Sequence, residues 1–331
     1  MIPHRSHWLT KFALSGTEEV CETLREIELL NPILKIADYH LEAGRFSLLP
    51  LSRIIKDFRN YSNTPVEIFR ADIPSYNYSE MIKYHESEPE SFAKLSNVFT
   101  YFSPGNHMKQ IYPNNSISLQ YISHLLSAFP SKQPAPDHIF PSLSSDETIK
   151  EQRIQGALKE LQNCLTIKHA ELIPGGRIYF DVMGTLPQNN IFDIINKVAK
   201  NVISNNIAPP EFANISIGTH FRTRAEVENA INGVQHLYRQ VSYKEVFVKM
   251  PHLEDFENDG DIDKYAEGVV LFWKKIFEIY CGMHLGAKYP KEEIQNLINQ
   301  ILSMIRAEVV ENKPIAASYS HHIILEKIRE A

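Results

Sequence analysis

The sequence contains little cysteine and little glycine. Only 3 of its 331 residues are cysteine and none belongs to a C-x-x-C pair, which argues against a disulfide framework and a zinc knuckle. The G-x-G-x-x-G fingerprint of dinucleotide-binding proteins is absent as well, so an NAD-dependent enzyme is not indicated. No metal site is predicted.

Long hydrophobic runs and basic clusters are also missing. No apolar run approaches the ~18 residues that span a bilayer, and the N-terminal stretch lacks the apolar core of a signal peptide. The net charge is −6, and no stretch is dominated by Lys and Arg. A nucleic-acid or anionic-membrane partner would require a basic face. We therefore expect a cytoplasmic protein that binds neither nucleic acid nor membranes.

Short runs of β-branched and aromatic residues alternate with longer amphipathic stretches. This alternation is typical of an α/β fold in which helices cover a mostly parallel sheet. The pattern predicts seven strands, at residues 35–40, 65–72, 97–102, 116–122, 177–184, 245–250 and 321–328.

The helix predictions rest on apolar residues at helical spacing and on capping pairs. Ser144 with Glu147, and Thr223 with Glu226, fit the capping-box pattern at the start of two helices. The predicted helices cover residues 148–172, 191–202, a stretch after Thr223, 262–281 and 291–310.

The predicted organisation is a Rossmann-like core with a helical cap. Residues 1–130, 145–205 and 240–331 are assigned to the core, the proline-rich residues 131–144 to a linker, and 206–310 supply much of the cap. The acidic interval 252–263 is expected to be a solvated loop, because its spacing does not fit an EF-hand.

The carboxyl ends of the strands are where open α/β sheets bind ligands. Asp38 ends the first predicted strand, Gly44 falls in the following turn, and Asp72 ends the second strand. Asp72 is placed to accept hydrogen bonds from paired ribose hydroxyls.

Five segments together resemble the SABATH family of S-adenosylmethionine (SAM)-dependent carboxyl methyltransferases, especially its bacterial branch. "IADYHLEAGRFSL" resembles the family's I-A-D-Y-G-x-x-x-G-R-N-S-L, and "ADIPSYNYSEM" resembles D-L-P-x-N-D-F-x-x-L. "SPGNHMKQIYPNNSISL", "YISHLLSAFP" and "AELIPGGRIYF" follow in the family's order and at its separations. The resemblance implies a class I methyltransferase fold, a seven-stranded sheet and SAM as cofactor.

The same resemblance implies cofactor-binding positions. It assigns this role to Asp38, Gly44, Phe46, Asp72, Asn106 and His107. The cofactor loop departs from the family, since His40 replaces a glycine, Phe46 replaces an asparagine, and Asn106 with His107 replaces a Ser-Phe pair. An imidazole at position 40 occupies space that glycine leaves open to the cofactor.

The acceptor side is altered too. The family's carboxylate-binding Trp corresponds to Leu125 and its Gln to Glu18, whose charge would repel a carboxylate. His124 offers a hydrogen-bond donor in place of the indole, and Tyr121, at the start of the same segment, is a further candidate acceptor-binding residue. A capping-box pairing of Glu18 with Ser15 is the structural alternative.

Three hypotheses follow for function. The first is a methyltransferase that acts on a small-molecule carboxylate or a related acceptor. The second is a catalytically degenerate relative that binds another ligand or none, with His40 and Phe46 filling the cofactor space. The third is a protein-interaction role, such as a secreted bacterial effector. A homodimer is an expectation from the resemblance alone.

Overall fold

The structure, a computed structural model, describes residues 4–29, 32–39, 46–74, 77–123, 126, 134–135 and 137–329, with side chains from Thr10 onward. His40, Gly44, His124 and Leu125, which the sequence places at the site, lie outside the described residues.

One seven-stranded sheet runs through the molecule in the order β3-β2-β1-β4-β5-β7-β6. Among the strands of the described residues, β7 runs antiparallel to the other six and pairs with β5 and β6. All seven predicted strands are confirmed. Their bounds are β1 Leu34–Tyr39, β2 Val66–Asp72, β3 Val98–Pro104, β4 Ile117–Ile122, β5 Leu172–Met183, β6 Tyr238–Lys249 and β7 Ala317–Lys327.

Ten α-helices lie in the described ranges. They are α1 His4–Ser15, α2 Thr17–Leu24, α3 Leu48–Arg59, α4 Tyr78–Ser87, α5 Glu147–Glu171, α6 Ile191–Ser204, α7 Arg224–Asn232, α8 Pro251–Asp259, α9 Ile262–Leu285 and α10 Lys291–Asn312. Among the residues described, no helix is both long enough and apolar enough to cross a membrane.

Successive side chains of each central strand point to opposite faces of the sheet, and both faces are buried. Helices α2 and α3 cover the face that carries Ile36 and Ile68. Helices α5 and α7 cover the other face, which carries Ala37 and Phe180. The core is therefore a three-layer sandwich.

A separate apolar cluster forms the cap. Side chains of α6, α9 and α10 pack around Trp273 and contact Met183, Val248 and Ala317 at one end of β5, β6 and β7. That end is the carboxyl edge of the parallel strands. The cap consequently covers β5 and its neighbours on the side of the sheet where α/β folds bind ligands.

Two local predictions were wrong. The acidic interval 252–263 is mostly helix, because Pro251 starts α8 and Gly260 ends it at a positive φ of 72°. Helix α5 is capped by Asp146, whose carboxylate accepts from Thr148 N–H and Ile149 N–H, and not by Ser144. The capping box of Thr223 and Glu226 is confirmed.

Candidate functional site

The candidate site lies at the carboxyl ends of β1, β2 and β4. Strand register aligns Asp38 with Arg70 on one side and with Tyr121 on the other. Asp72 is the last residue of β2, two positions beyond Arg70, and pairs with Pro104 of β3. The sheet therefore brings three of the predicted site residues to one edge.

Asp72 presents an unsatisfied carboxylate oxygen at this edge. The residue is 7% exposed. Its Oδ1 accepts a hydrogen bond from Ile73 N–H at 2.7 Å. Its Oδ2 is buried and has no hydrogen-bond partner among the residues that the structure describes. A buried acceptor without a donor is costly, so this oxygen is prepared for donors from a ligand.

Burial raises the pKa of Asp72 to about 6, and the nearby Asp38 acts in the same direction. Ile73 N–H and Arg70 oppose the rise. At neutral pH the carboxyl group is therefore mostly ionised, but its pKa lies close enough to neutrality for mild acidification to protonate it. A ligand that donates hydrogen bonds to the carboxylate would lower this pKa.

Asp38 belongs to a buried ion pair. Its Oδ2 lies 2.9 Å from Arg70 Nη2, with both side chains fully buried, and accepts from Ser47 Oγ at 2.8 Å. Arg70 also donates to Ser47 Oγ at 3.0 Å and to His85. Burial and the Arg70 charge lower the pKa of His85 to about 2, so its neutral ring can accept this bond. The cluster ties the start of α3 to β1, β2 and α4.

Phe46, predicted to contact the cofactor, directly precedes this cluster. Its side chain is 4% exposed. The neighbouring Ser47 is the N-cap residue of α3 but makes no side-chain cap hydrogen bond. Its hydroxyl instead serves the Asp38–Arg70 pair. The ion pair therefore fixes the chain where it enters α3.

The loop after β3 folds over the end of β2. Gly105 N–H donates to Asp72 O at 2.9 Å. The exposed Asn106 accepts from Met108 N–H through its side chain at 2.9 Å. Burial and the Lys168 charge lower the pKa of the half-buried His107 to about 4, so its ring is neutral. The loop that begins at this hydrogen bond carries a polar amide and a neutral flat ring.

A second buried ion pair holds this loop in place. Lys168 and Glu171, in the last turn of α5, lie 3.0 Å apart and are fully buried. Lys168 Nζ donates to Lys109 O at 3.0 Å, and Glu171 Oε1 accepts from Ile111 N–H at 2.6 Å. Both partners of the pair thus bind the main chain of the loop that carries His107.

The predicted acceptor residues separate in the structure. Tyr121 is fully buried, stacks on Tyr179 with ring centroids 4.8 Å apart, and donates to Ala13 O at 3.1 Å. Glu18 is exposed on α2. Ser15 does not cap that helix, since its N-cap is Gly16 and makes no side-chain cap bond. The capping alternative for Glu18 was therefore wrong.

Two residues that shape the site, Lys168 and Arg70, were not identified from the sequence. Lys168 continues the apolar stripe of Leu161 and Leu165 at helical spacing, and Arg70 follows Ile68 on the same inward face of β2. A charged residue on an otherwise apolar stripe is the signal that could have identified both, because such a charge must find a partner inside the protein.

Neither a family model nor a curated protein sequence matches the chain. A solved structure of loganic acid methyltransferase with SAH is similar over 98% of this chain and 96% of that chain, at 13% identity and a TM-score of 0.75. A SAM-dependent methyltransferase structure from Methanosarcina mazei matches at 12% identity, with coverage of 91% and 95% and a TM-score of 0.45. Coclaurine N-methyltransferase bound to N-methylheliamine and SAH matches at 9% identity, with coverage of 95% and 70% and a TM-score of 0.45.

The first of these likenesses establishes the fold. Together with the strand order and the single antiparallel strand, it identifies a Rossmann-like class I methyltransferase fold, with a TM-score of 0.75 over nearly the whole chain. The fold prediction is therefore confirmed.

Proposed function

We propose that the protein is a SAM-dependent methyltransferase that acts on a small-molecule carboxylate or a related acceptor. The observation that carries this proposal is Asp72, whose buried Oδ2 lacks a partner among the described residues at the carboxyl end of β2. A ribose with two adjacent hydroxyls supplies the donors that this carboxylate needs.

The remaining residues fit the cofactor around that anchor. The amide of Asn106 and the neutral ring of His107 would face the adenine, and Phe46 would lie beside the methionine part. Asp38 is engaged by Arg70 and Ser47, so we assign it to positioning the start of α3. Gly44 keeps the role that the resemblance implies.

When bound, SAM supplies an electrophilic methyl group on a sulfonium. A carboxylate acceptor is already ionised at neutral pH, so the protein has only to align it with the methyl group and to exclude water. The cap at the carboxyl edge of the sheet is suited to exclude water.

Calorimetric titration with SAM and with S-adenosylhomocysteine tests the proposal. We expect micromolar binding of both compounds and methyl transfer from labelled SAM to members of a small-acid panel. A folded protein that binds neither compound would contradict the proposal.

A second variant tests the alternative that the protein is a catalytically degenerate relative. Since His40 stands where the family has glycine, His40→Gly should create cofactor binding if the wild-type imidazole blocks it. Binding by His40→Gly alone would assign the wild-type chain to a pseudoenzyme that acts as a ligand-binding or protein-interaction module. If the wild type and His40→Gly both bind the cofactor, the enzyme hypothesis is favoured. Light scattering tests separately whether the protein forms a homodimer.

Cofactor binding should depend on the ionisation of Asp72. Because its pKa is raised to about 6 in the free protein, affinity is expected to be constant above pH 7 and to fall below pH 6, by up to about tenfold per pH unit. At pH 6 binding should release about half a proton. Titrations in two buffers with different ionisation enthalpies measure this release, and a release of zero would exclude Asp72 as the ribose anchor.

A further inference from the structure

A chain of hydrogen bonds runs from an accessible hydroxyl into the core beside Tyr121. Ser15 Oγ lies 3.0 Å from His322 Nε2, and His322 Nδ1 lies 2.7 Å from Tyr179 Oη. Tyr179 Oη lies 3.2 Å from Asp181 Oδ2. Neither the cofactor site nor the fold comparison assigns a role to these four side chains.

The chain lies on the same face of the sheet as Asp38. Tyr179 pairs with Tyr121 across β5 and β4, and Tyr121 pairs with Asp38 across β4 and β1. His322 and Asp181 are register partners one step nearer the carboxyl edge. The four residues therefore lie next to the predicted acceptor residue Tyr121, toward the edge where the methyl group would be presented.

Only the Ser15 end of the chain is accessible. Ser15 is half-buried and lines an open cavity of about 660 Å³ between α2 and α3, whereas His322 is 2% exposed and Asp181 is fully buried. At Gly16 a Cβ would lie 2.3 Å from Tyr179 Oη and 2.6 Å from His322 Nδ1. Only glycine lets the junction of α1 and α2 close directly over the chain.

One assignment of the protons gives every hydrogen bond along this chain of side chains a donor and an acceptor. Burial and Asp181 raise the pKa of Tyr179 far above neutrality, so its phenol keeps its proton and donates to Asp181. Tyr179 Oη then accepts from His322 Nδ1–H, which leaves Nε2 as an acceptor for the Ser15 hydroxyl. Phe12 O, 2.7 Å from Ser15 Oγ, is the competing acceptor for that proton.

Charged side chains face His322 from the neighbouring strands. Asp181 faces it from β5, and Lys244 is its register partner on β6. The positive charge of Lys244 is balanced by an ion pair with Glu19 of α2, whose Oε2 is buried and has no partner within the described part of the chain. Two carboxyl groups, of Asp181 and Glu19, and one ammonium group, of Lys244, therefore surround this part of the chain.

We propose that this chain is a proton relay and that the acceptor is a small molecule with a hydroxyl group, which must lose its proton as it is methylated. This inference rests on the proposed methyltransferase function and selects a hydroxyl compound, rather than a carboxylate, as its acceptor. A carboxylate has no proton to lose at neutral pH, so its methylation would not require a proton relay.

Methylation of a hydroxyl group releases one proton, which the relay would take up. The acceptor O–H bond breaks as its oxygen forms a bond to the methyl carbon, and the sulfonium–methyl bond breaks to leave a neutral thioether. The acceptor proton passes to Ser15 Oγ while the Ser15 proton passes to His322 Nε2. The positive charge of the sulfonium thereby moves to the imidazole, where Asp181 stabilises it through Tyr179.

The test compares His322→Gln with His321→Gln. His321 is adjacent in sequence but bonds to Tyr243 and to Arg222 O on the opposite face of the sheet, so its replacement is a matched control. Methyl transfer from labelled SAM to panels of phenols, alcohols and carboxylic acids is measured from pH 5 to 9. We expect His322→Gln to lower kcat for hydroxyl acceptors by ~100-fold or more and to remove the pH dependence, with SAM affinity unchanged.

A second readout does not depend on finding the acceptor. A fluorophosphonate probe should label Ser15 in the wild type and in His321→Gln, and should fail to label it in His322→Gln or Ser15→Ala. Absence of Ser15 labelling in the wild type, or equal labelling in His322→Gln, would overturn the relay. SAM binding with transfer only to carboxylic acids would also overturn it while leaving the proposed function intact, whereas loss of SAM binding would contradict the proposed function itself.

Discussion

Replacing Asp72 with asparagine is expected to weaken SAM binding by about 100-fold, which corresponds to about 2.7 kcal/mol. The variant keeps the shape of the side chain and one oxygen for Ile73 N–H, but it loses the charge. Hydrogen bonds to a charged group contribute about 1.5–3 kcal/mol each. Because Oδ2 has no protein donor among the described residues, the hydroxyls of the ligand would be its main source of stabilisation.

Calorimetry of Asp72→Asn beside a matched exposed variant measures this effect. Asp255 lies half-exposed on α8 and pairs with Lys264, so Asp255→Asn removes the same charge from the surface and should leave the affinity within twofold. The asparagine at position 72 should also abolish proton release at pH 6. An unchanged dissociation constant for Asp72→Asn would show that the ribose lies elsewhere.

Asp72 illustrates what the sequence does predict about the site. Its place at the end of a β-branched strand predicts the carboxyl edge, and parallel strands bring such ends together. Local patterns likewise predict the seven strands and the long helices, because side-chain burial repeats with the period of each element. The unsatisfied Oδ2 cannot be predicted in this way, because it depends on which hydrogen-bond donors the described neighbouring segments place near Asp72.

The segment "LIPGG" shows where local rules fail. Pro174, Gly175 and Gly176 are typical of a turn, yet all three lie inside β5. The register against β4 jumps between Ile117 and Leu119, where β5 advances from Leu172 to Arg177, and Gly175 takes a φ of +76°. The residues form a bulge in a continuous strand, and only the pairing with β4 reveals it.

Charged pairs inside the fold lie beyond local patterns for the same reason. Asp38 and Arg70 are adjacent only because β1 and β2 are in register. The resemblance assigned Asp38 to the cofactor, whereas the structure shows its carboxylate held by Arg70 and Ser47. Sequence spacing gives no distance between residues on different strands, so the partner of each buried acid is known only from the folded chain.

Glu171→Gln is expected to lower the free energy of unfolding by about 3–5 kcal/mol, because it leaves the buried Lys168 without a counter-ion. The carboxylate of Glu171 also accepts from Gln120 Nε2 at 2.9 Å, from Ile111 N–H at 2.6 Å and from Tyr39 Oη. Glutamine retains one acceptor oxygen but turns an N–H₂ group toward these donors. Urea unfolding monitored by circular dichroism measures the loss.

Two further variants separate the charge from the lost hydrogen bonds. Glu151→Gln, on the exposed side of α5, should change stability by less than about 0.5 kcal/mol. Adding Lys168→Met to Glu171→Gln removes the unpaired cation, so the double variant should be more stable than Glu171→Gln alone. A double variant no more stable than the single one would mean that the hydrogen bonds, not the buried charge, dominate the cost.

Glu171→Gln should also affect the cofactor site. Lys168 and Glu171 bind Lys109 O and Ile111 N–H and so hold the loop that carries His107. Glu171→Gln should therefore weaken SAM binding even under conditions in which the protein is fully folded. The loss should be smaller than in Asp72→Asn, because Gly105 N–H still ties the loop to Asp72 O, and the ribose anchor itself remains.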